Sequence, residues 1–546
     1  MKVSNKHIWW LIAVVAVIWF SNLEYRTLVR PDEGRYAEIP REMVASGDWT
    51  TPRLNDLKYF EKPPLQYWAT AVAYEAFGEH QWTSRLWGGL TGFAGILLVW
   101  LAGARLFGRA AGAYAGLLVA GSMLYVLIGH INTLDMGVTF FITLGISALL
   151  IAQTRVAVQE RRNWMLLAWA GMALAVLSKG LMGIVLPGTA LFIYCVVERD
   201  FRVLKRMHWI PGLAVFFLIT APWFFAVMKA NPEFFGRFFI YEHYTRFTTK
   251  ELGRYQPWYY FVPVLLSGVV PWTFLMFDTL LRSWRRGRQP AKLFNSERFL
   301  LIWVIFVYLF FTVSGSKLPS YLLPMFPAMA LLMGNRIAVM RDRTLFWQLA
   351  PMLLLGLVWL GLAANAGGFA DTAQQAELYP KFGVWLMVAA VLFLSGLASG
   401  MALLWRGKKA VAMVVLSLAT MLSAQVGLSG YNETARDRSA KHIADAIRDQ
   451  VKPDEPFYSV LTYEWTFAFY MKRNFTLVEY QDEMGFGIQQ EPQRWIPTVD
   501  QFVPVWAAQP EALAIMPAEA YPKLLQKGME MKIIFQDGQF IVASKP

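Results

Sequence analysis

This chain has little of what soluble enzymes are built from. It holds one cysteine, Cys195, so an intramolecular disulfide is impossible and a cysteine-rich metal site is excluded. Charged residues make up only 16% of it, where a soluble domain carries about a quarter. There is no G-x-S-x-G elbow and no Cys/His pair of the nucleophile type, which argues against serine or thiol hydrolysis. There is no G-x-G-x-x-G and no P-loop, so no nucleotide is assigned. H-E-x-x-H spacing is missing, as are repeats of 20–50 residues and the alternating pattern of a membrane barrel.

What is abundant is apolar sequence, 56% of 546 residues, in blocks of roughly 18 to 22, the length that crosses a ~30 Å hydrocarbon core. Backbone groups in lipid must pair within their own segment, so these blocks predict helices. The net charge of +13 does not call for nucleic acid. The basic residues sit in alternate short loops, as the positive-inside rule requires. Lys2 and Lys6 precede Ile8–Phe20 without a small-x-small cleavage site, so this reads as an uncleaved first span. The spans expected are 8–28, 86–104, 110–129, 136–153, 164–178, 181–197, 209–228, 259–281, 299–314, 320–335, 345–363, 381–404 and 410–428, about 13 in all. With the N-terminus in the cytoplasm, loops 30–85 and 229–258 face outward. The membrane part then covers 1–429. From 430 to 546 the composition becomes soluble and predicts a small outer α/β domain. Its helices are expected at 439–450 and 521–527. Its strands are expected at 457–461, 475–480, 531–535 and 540–542, the last two joined at Asp537-Gly538.

Loop 30–85 carries the densest chemistry. Asp32 and Glu33 follow Pro31 and suit a helix start, with Pro40 expected to end or kink that helix. Ile39, Met43 and Val44 are expected at the membrane interface, with Tyr67, Trp68, Tyr74 and Trp82 at headgroup level. Asp32, Glu33 and Asp135 fall on the same outer face, as helix caps or as a site. Arg35, Lys62, Arg246 and Lys317 lie in outer loops, where the positive-inside rule depletes such charges. They read as solvated charge singly and as an anion pocket together. Tyr36, Tyr59 and Tyr321 could hydrogen-bond the same anion. Glu61 and His243, the latter beside Glu242, could ligate a divalent cation.

Asp32-Glu33-Gly34-Arg35-Tyr36 and Lys58-Tyr59-Phe60-Glu61-Lys62-Pro63-Pro64, with Asp135, EHYTRF at 242–247 and SKLPSYLLP at 316–324, resemble a known family. It is that of the bacterial aminoarabinose transferases that modify lipid A, lipid-phosphosugar glycosyltransferases of GT-C fold related to protein O-mannosyltransferases. The resemblance implies a donor, undecaprenyl phosphate-linked 4-amino-4-deoxy-L-arabinose, and an acceptor, a phosphate of lipid A. It places the reaction at the outer, periplasmic face of the bacterial inner membrane, with inversion of the anomeric centre and resistance to polymyxin as the consequence. It implies Lys62, Arg246, Tyr321, Tyr59 and Lys317 on the donor phosphate, and Asp32 and Asp135 as the catalytic carboxylates. Arg35, Tyr36 and Glu33 would lie on the acceptor side. Glu61 and His243 would hold a divalent metal such as zinc, structural or beside the site. The partners expected are the donor, lipid A and membrane lipids, with no nucleic acid, for a monomeric chain. Two rivals stay open: a polyprenyl-phosphate-mannose-dependent protein O-mannosyltransferase and a lipid-linked sugar flippase.

Overall fold

The computed structural model describes residues 5–245, 256–286 and 294–546. A helix lies within each range that the apolar blocks predict, though not always over its whole length. Among the described residues, eight are long and apolar enough to cross a bilayer, and two bent pairs raise this to ten. The count of 13 therefore exceeds what helix length and composition alone support. Asn5–Phe20 shows why: it stops well before residue 28, because the polar residues that follow turn into the protein. The Asn22 amide donates to the Gln425 carbonyl at 3.0 Å, and the Arg26 guanidinium to that of His130.

Two spans are broken rather than straight. Arg109–Ala120 and Met123–Gly129 meet at 63°, and Phe261–Gly268 and Thr273–Arg285 at 107°. Pro271 lies in the second break, where its missing N–H cannot continue a helix. The Trp272 indole N–H there donates to the Gly121 carbonyl at 2.9 Å, tying the second break to the first.

Above the bundle, the outer segment forms helix Asp32–Ser46, a short hairpin (Arg53–Leu54 with Leu57–Lys58) and helix Leu65–Phe77. Pro40 does not end the first helix, which runs on to Ser46 and stops at Gly47, whose φ is 72°. Burial explains this, since every residue from Glu33 to Met43 is buried and packing outweighs the ~3 kcal/mol that an interior proline costs.

The C-terminal part carries a six-stranded sheet. Its spatial order is Trp495–Ile496, Thr476–Val478, Phe457–Val460, Leu513–Pro517, Phe540–Ser544 and Lys532–Gln536. The first four strands run parallel, and the last two are antiparallel to their neighbours. Asp537 makes the expected turn, accepting the N–H groups of Gln539 and Phe540 at 2.7 Å each. The central strand Leu513–Pro517 and the helix Val499–Ala508 have no counterpart among the sequence expectations.

The outer segment and this sheet share one core. Ile39, Met43, Tyr59, Tyr67 and Tyr74 pack in a single cluster with Ile443, Phe457, Trp465, Phe467 and Leu477. Ile39, Met43, Tyr67 and Tyr74 are therefore not interfacial residues: the C-terminal domain covers the faces that lipid headgroups were expected to cover. Gly34 shows how close the approach is. A Cβ there would lie 2.6 Å from the Trp465 carbonyl carbon and 2.8 Å from the Thr466 nitrogen, so no larger residue fits.

Candidate functional site

Helix Asp32–Ser46 aims Asp32, Arg35 and Tyr36 from one face, as i, i+3 and i+4 spacing dictates. Arg35 is the hub. Its guanidinium is buried, pairs with Asp32 and Glu483, and donates to the Tyr59 hydroxyl at 2.6 Å. Glu61 Oε2 lies 4.0 Å away, and the Tyr36 and Trp465 rings flank the guanidinium at 5.3 and 5.2 Å. Burial opposes the Arg35 charge, but its oxygen neighbours, the Asp32 and Glu483 carboxylates supplying the opposite charge, outweigh it and hold its pKa above the ordinary value. Burial also pushes the Tyr36 and Tyr59 phenols well up, so both stay protonated. The Asp32 carboxylate is 35% exposed while its partner Arg35 is 2% exposed, so Asp32 is the member of the pair that a ligand can reach.

The hairpin and the turn after it place the next charges. Lys62 Nζ lies 3.6 Å from Glu242 and 3.9 Å from Glu61, and donates to the Glu61 carbonyl at 2.9 Å. Glu242 also faces Arg237 at 3.2 Å, and Arg237 lies over Tyr241 and Phe486 at 4.2 and 5.0 Å. A third set comes from the bundle. Asp135, opening helix Asp135–Thr154, forms an ion pair with Lys179 at the end of Val158–Lys179. Lys179 Nζ sits 4.9 Å from the centre of the Tyr321 ring, and Asp32 lies within electrostatic range of it. Asp32, Arg35, Tyr36, Tyr59, Glu61 and Lys62 thus form one chain of contacts, and Asp135 and Tyr321 a second one joined through Lys179.

Lys317 is buried and donates to the Gln256 carbonyl at 2.9 Å. Arg246 and the His243 side chain lie outside the described residues. Glu33 corrects the expectation made for it. It is fully buried, grips Arg85 at 2.7 and 2.9 Å, and accepts the N–H groups of Asn132 and Val29 at 3.0 and 3.1 Å. Its carboxylate is spent inside the protein, so it does not line the acceptor side. The residue before it faces the site and Glu33 faces the core, because neighbours on a helix diverge by about 100°.

Lys179, Glu483 and Trp465 join the site without having been expected there, and Glu242, named only beside His243, joins it through Lys62. Lys179 could have been found, since a lysine at the outer tip of a helix pair near Asp135 breaks the positive-inside pattern. Glu483 could not, for it lies 424 residues from the Tyr59 hydroxyl to which it stands 3.3 Å away. Among the described residues no three His, Cys, Asp or Glu side chains come together as a metal set.

Residues 443–545 match the family of aminoarabinose transferase C-terminal domains, and residues 61–225 the dolichyl-phosphate-mannose-protein mannosyltransferases. A solved structure of ArnT from Cupriavidus metallidurans bound to undecaprenyl phosphate is 36% identical and superposes with a TM-score of 0.94, over 99% of this chain and 98% of that one. The undecaprenyl phosphate-alpha-4-amino-4-deoxy-L-arabinose arabinosyl transferase 1 of Proteus mirabilis is 32% identical over 61% of this chain and 60% of its own length. The chain thus spans about three fifths of the curated relatives it matches in sequence. An archaeal oligosaccharyltransferase, AglB from Archaeoglobus fulgidus, shares the fold at 12% identity with a TM-score of 0.54, over 95% of this chain and 70% of that one.

Proposed function

This chain belongs to the ArnT family of aminoarabinose transferases, and from that premise we propose that it moves 4-amino-4-deoxy-L-arabinose from undecaprenyl phosphate to a phosphate of lipid A. It is a multi-pass membrane glycosyltransferase; the inner membrane, a periplasmic site and a monomeric state are part of the proposal. The observation that carries it is the alternation of cations and carboxylates at the end of the bundle, with Lys62 and Lys179 each held by acids and the 35% exposed Asp32 held by Arg35. The chain-long likeness to a structure bound to undecaprenyl phosphate supports the donor class. The match at 443–545 favours the aminoarabinose reading over the mannosyl one, and stable pairing of the charges at one rim disfavours a flippase.

The chemistry needs little acid or base. A phosphate monoester has a second pKa of about 6, so the acceptor oxygen is a nucleophile near neutral pH. That oxygen forms the new bond to the anomeric carbon from the face opposite the donor phosphate. The bond from that carbon to the donor phosphate oxygen breaks, its electron pair stays on undecaprenyl phosphate, and the centre inverts. No proton must move. What the protein supplies is alignment and charge stabilisation on the departing phosphate. Lys62, Arg246 and Tyr321 take that role, with Tyr59 and Lys317 beside them and Lys179 added by its place against Tyr321. Asp32 steadies the sugar through its amine or orients the acceptor, Asp135 holds Lys179, and Arg35 and Tyr36 shape the acceptor side. If a divalent ion such as zinc binds, Glu61 and His243 are the residues that would hold it, Glu61 lying 3.9 Å from Lys62 Nζ. Such an ion would fix this turn and add positive charge near the donor phosphate.

The test is transfer by the purified protein in detergent, with the donor and lipid A followed by mass spectrometry. A lipid A product heavier by one aminoarabinose, lost in Asp32→Asn with the fold intact, is the expected result. No product from competent wild-type protein, or equal activity in the variant, would overturn the assignment.

A further inference from the structure

Away from the reaction site, the last spans enclose a groove of about 350 Å³ at the end of the bundle that carries the C-terminal domain. Trp359, Leu362, Phe369, Phe382 and Leu386 make its walls. Aromatics at this height mark the headgroup level of a bilayer. Four polar residues line the same groove: Tyr379, Tyr431, Arg438 and Thr434, whose hydroxyl is spent on the Tyr431 carbonyl at 2.8 Å. Among the described residues neither tyrosine hydroxyl donates to a protein acceptor. Arg438 makes no side-chain hydrogen bond and comes only within 3.9 Å of Asp437, whose other carboxylate oxygen is taken by Gln539. The fold holds this arginine in place by its backbone instead: its carbonyl accepts the Arg30 N–H at 2.9 Å.

A mostly apolar groove that also carries unspent donors suits a lipid with an anionic head. Arginine binds phosphate bidentately, and two phenols can donate to the remaining oxygens. We propose that this groove binds an anionic membrane phospholipid, with one acyl chain along Trp359, Leu362 and Leu386 and the phosphate on Arg438, Tyr379 and Tyr431. The volume suits one chain, and the walls are mostly apolar with a few polar groups, as in lipid and cofactor sites generally. The site is separate from the Arg35–Lys62 cluster, so the proposal stands whether or not the transfer reaction is as described above.

The test uses the full-length protein in detergent and native mass spectrometry with phosphatidylglycerol or phosphatidylcholine as added lipid. Wild type is expected to retain one phosphatidylglycerol in preference to phosphatidylcholine. Arg438→Gln should weaken phosphatidylglycerol retention by about fivefold or more, the worth of one basic residue at an anionic headgroup, and leave phosphatidylcholine unchanged. Tyr379→Phe, at a half-buried position, should weaken it less. Equal retention of the two lipids by wild type, or unchanged retention in Arg438→Gln, overturns the proposal. So does stoichiometric displacement of the phospholipid by lipid A, which would make the groove an acceptor site.

Discussion

Consider what removing Glu33 would do. Glu33 and Arg85 are fully buried, and two contacts of 2.7 and 2.9 Å join them. Arg85 also donates to the carbonyls of Leu23, Arg26 and Thr27 at 2.9, 2.6 and 2.8 Å. Those carbonyls satisfy its protons but not its charge. In Glu33→Ala the guanidinium stays in the core without a counterion, and Asn132 and Val29 lose their acceptor. Breaking a buried pair from one side costs about 3–5 kcal/mol. Total stabilities are of order 5–15 kcal/mol, so a large part of the fold would be lost. Arg85→Met should cost a similar amount by stranding the carboxylate. The double variant Glu33→Ala/Arg85→Met removes both charges of the pair and leaves Arg26, also buried, free of the repulsion from Arg85. It should cost clearly less than the sum of the two, by a coupling of a few kcal/mol. The assay is thermal unfolding of the four proteins in one detergent, read as the order of melting temperatures rather than as free energies, since a two-part membrane protein need not unfold in one step. The pH dependence adds a check. Burial alone would raise the Glu33 carboxyl, but the charge and hydrogen bonds of Arg85, with Arg26 and the Asn132 N–H, outweigh it and hold the pKa below the ordinary 4.5. The stability it contributes is therefore present above about pH 4.5 and lost as the pH falls below that. Additive losses in the double variant, or an unshifted melt in Glu33→Ala, would refute this reasoning.

Four further outcomes are expected. Asp32→Asn should lower transfer about 100-fold or more while the melting temperature stays within a few degrees, because Arg35 keeps Glu483 and Tyr59; parallel loss of both would mean a structural role. Lys179→Met should strand Asp135 and reduce transfer more than Lys179→Arg does, which steady-state kinetics on the two variants will read. Gly34→Ala should destabilise by about 1–3 kcal/mol through the clash with residues 465 and 466, seen as early melting of the C-terminal domain on limited proteolysis. Burial, helped by Glu38, raises the Glu42 carboxyl to about 8 against the pull of Arg41 and of the Asp56 and Asn55 N–H groups that it accepts at 2.8 and 2.6 Å. With the folded pKa above the ordinary 4.5, its contribution is complete below that value and fades as the pH rises through about 8, so the wild-type melt should fall over that range and the Glu42→Gln melt should stay flatter.

The outer segment shows where reading residues in order succeeds and where it fails. Asp32 and Glu33 are adjacent acids after a proline, and nothing local separates a ligand-facing carboxylate from one that neutralises Arg85, 52 positions away. Ile39 and Met43 form an apolar stripe that fits a bilayer surface as well as it fits a sheet, and the C-terminal domain decides between them. Tyr59, Glu61 and Lys62 sit in a motif compact enough to be recognised, yet the groups that complete it, Glu242 and Glu483, arrive from distant segments.

The amino-acid order alone determined the helical membrane class and the change to a sheet-bearing C-terminal part. Those follow from the length of apolar runs, a property a bilayer reads one segment at a time. Only the tertiary structure decided which charges are spent in the core and which are held ready at the rim. It also put the tail's sheet over the first outer helix, because electrostatic pairing and burial depend on what comes within a few ångströms, and the chain brings residues 35 and 483 together only once it has folded.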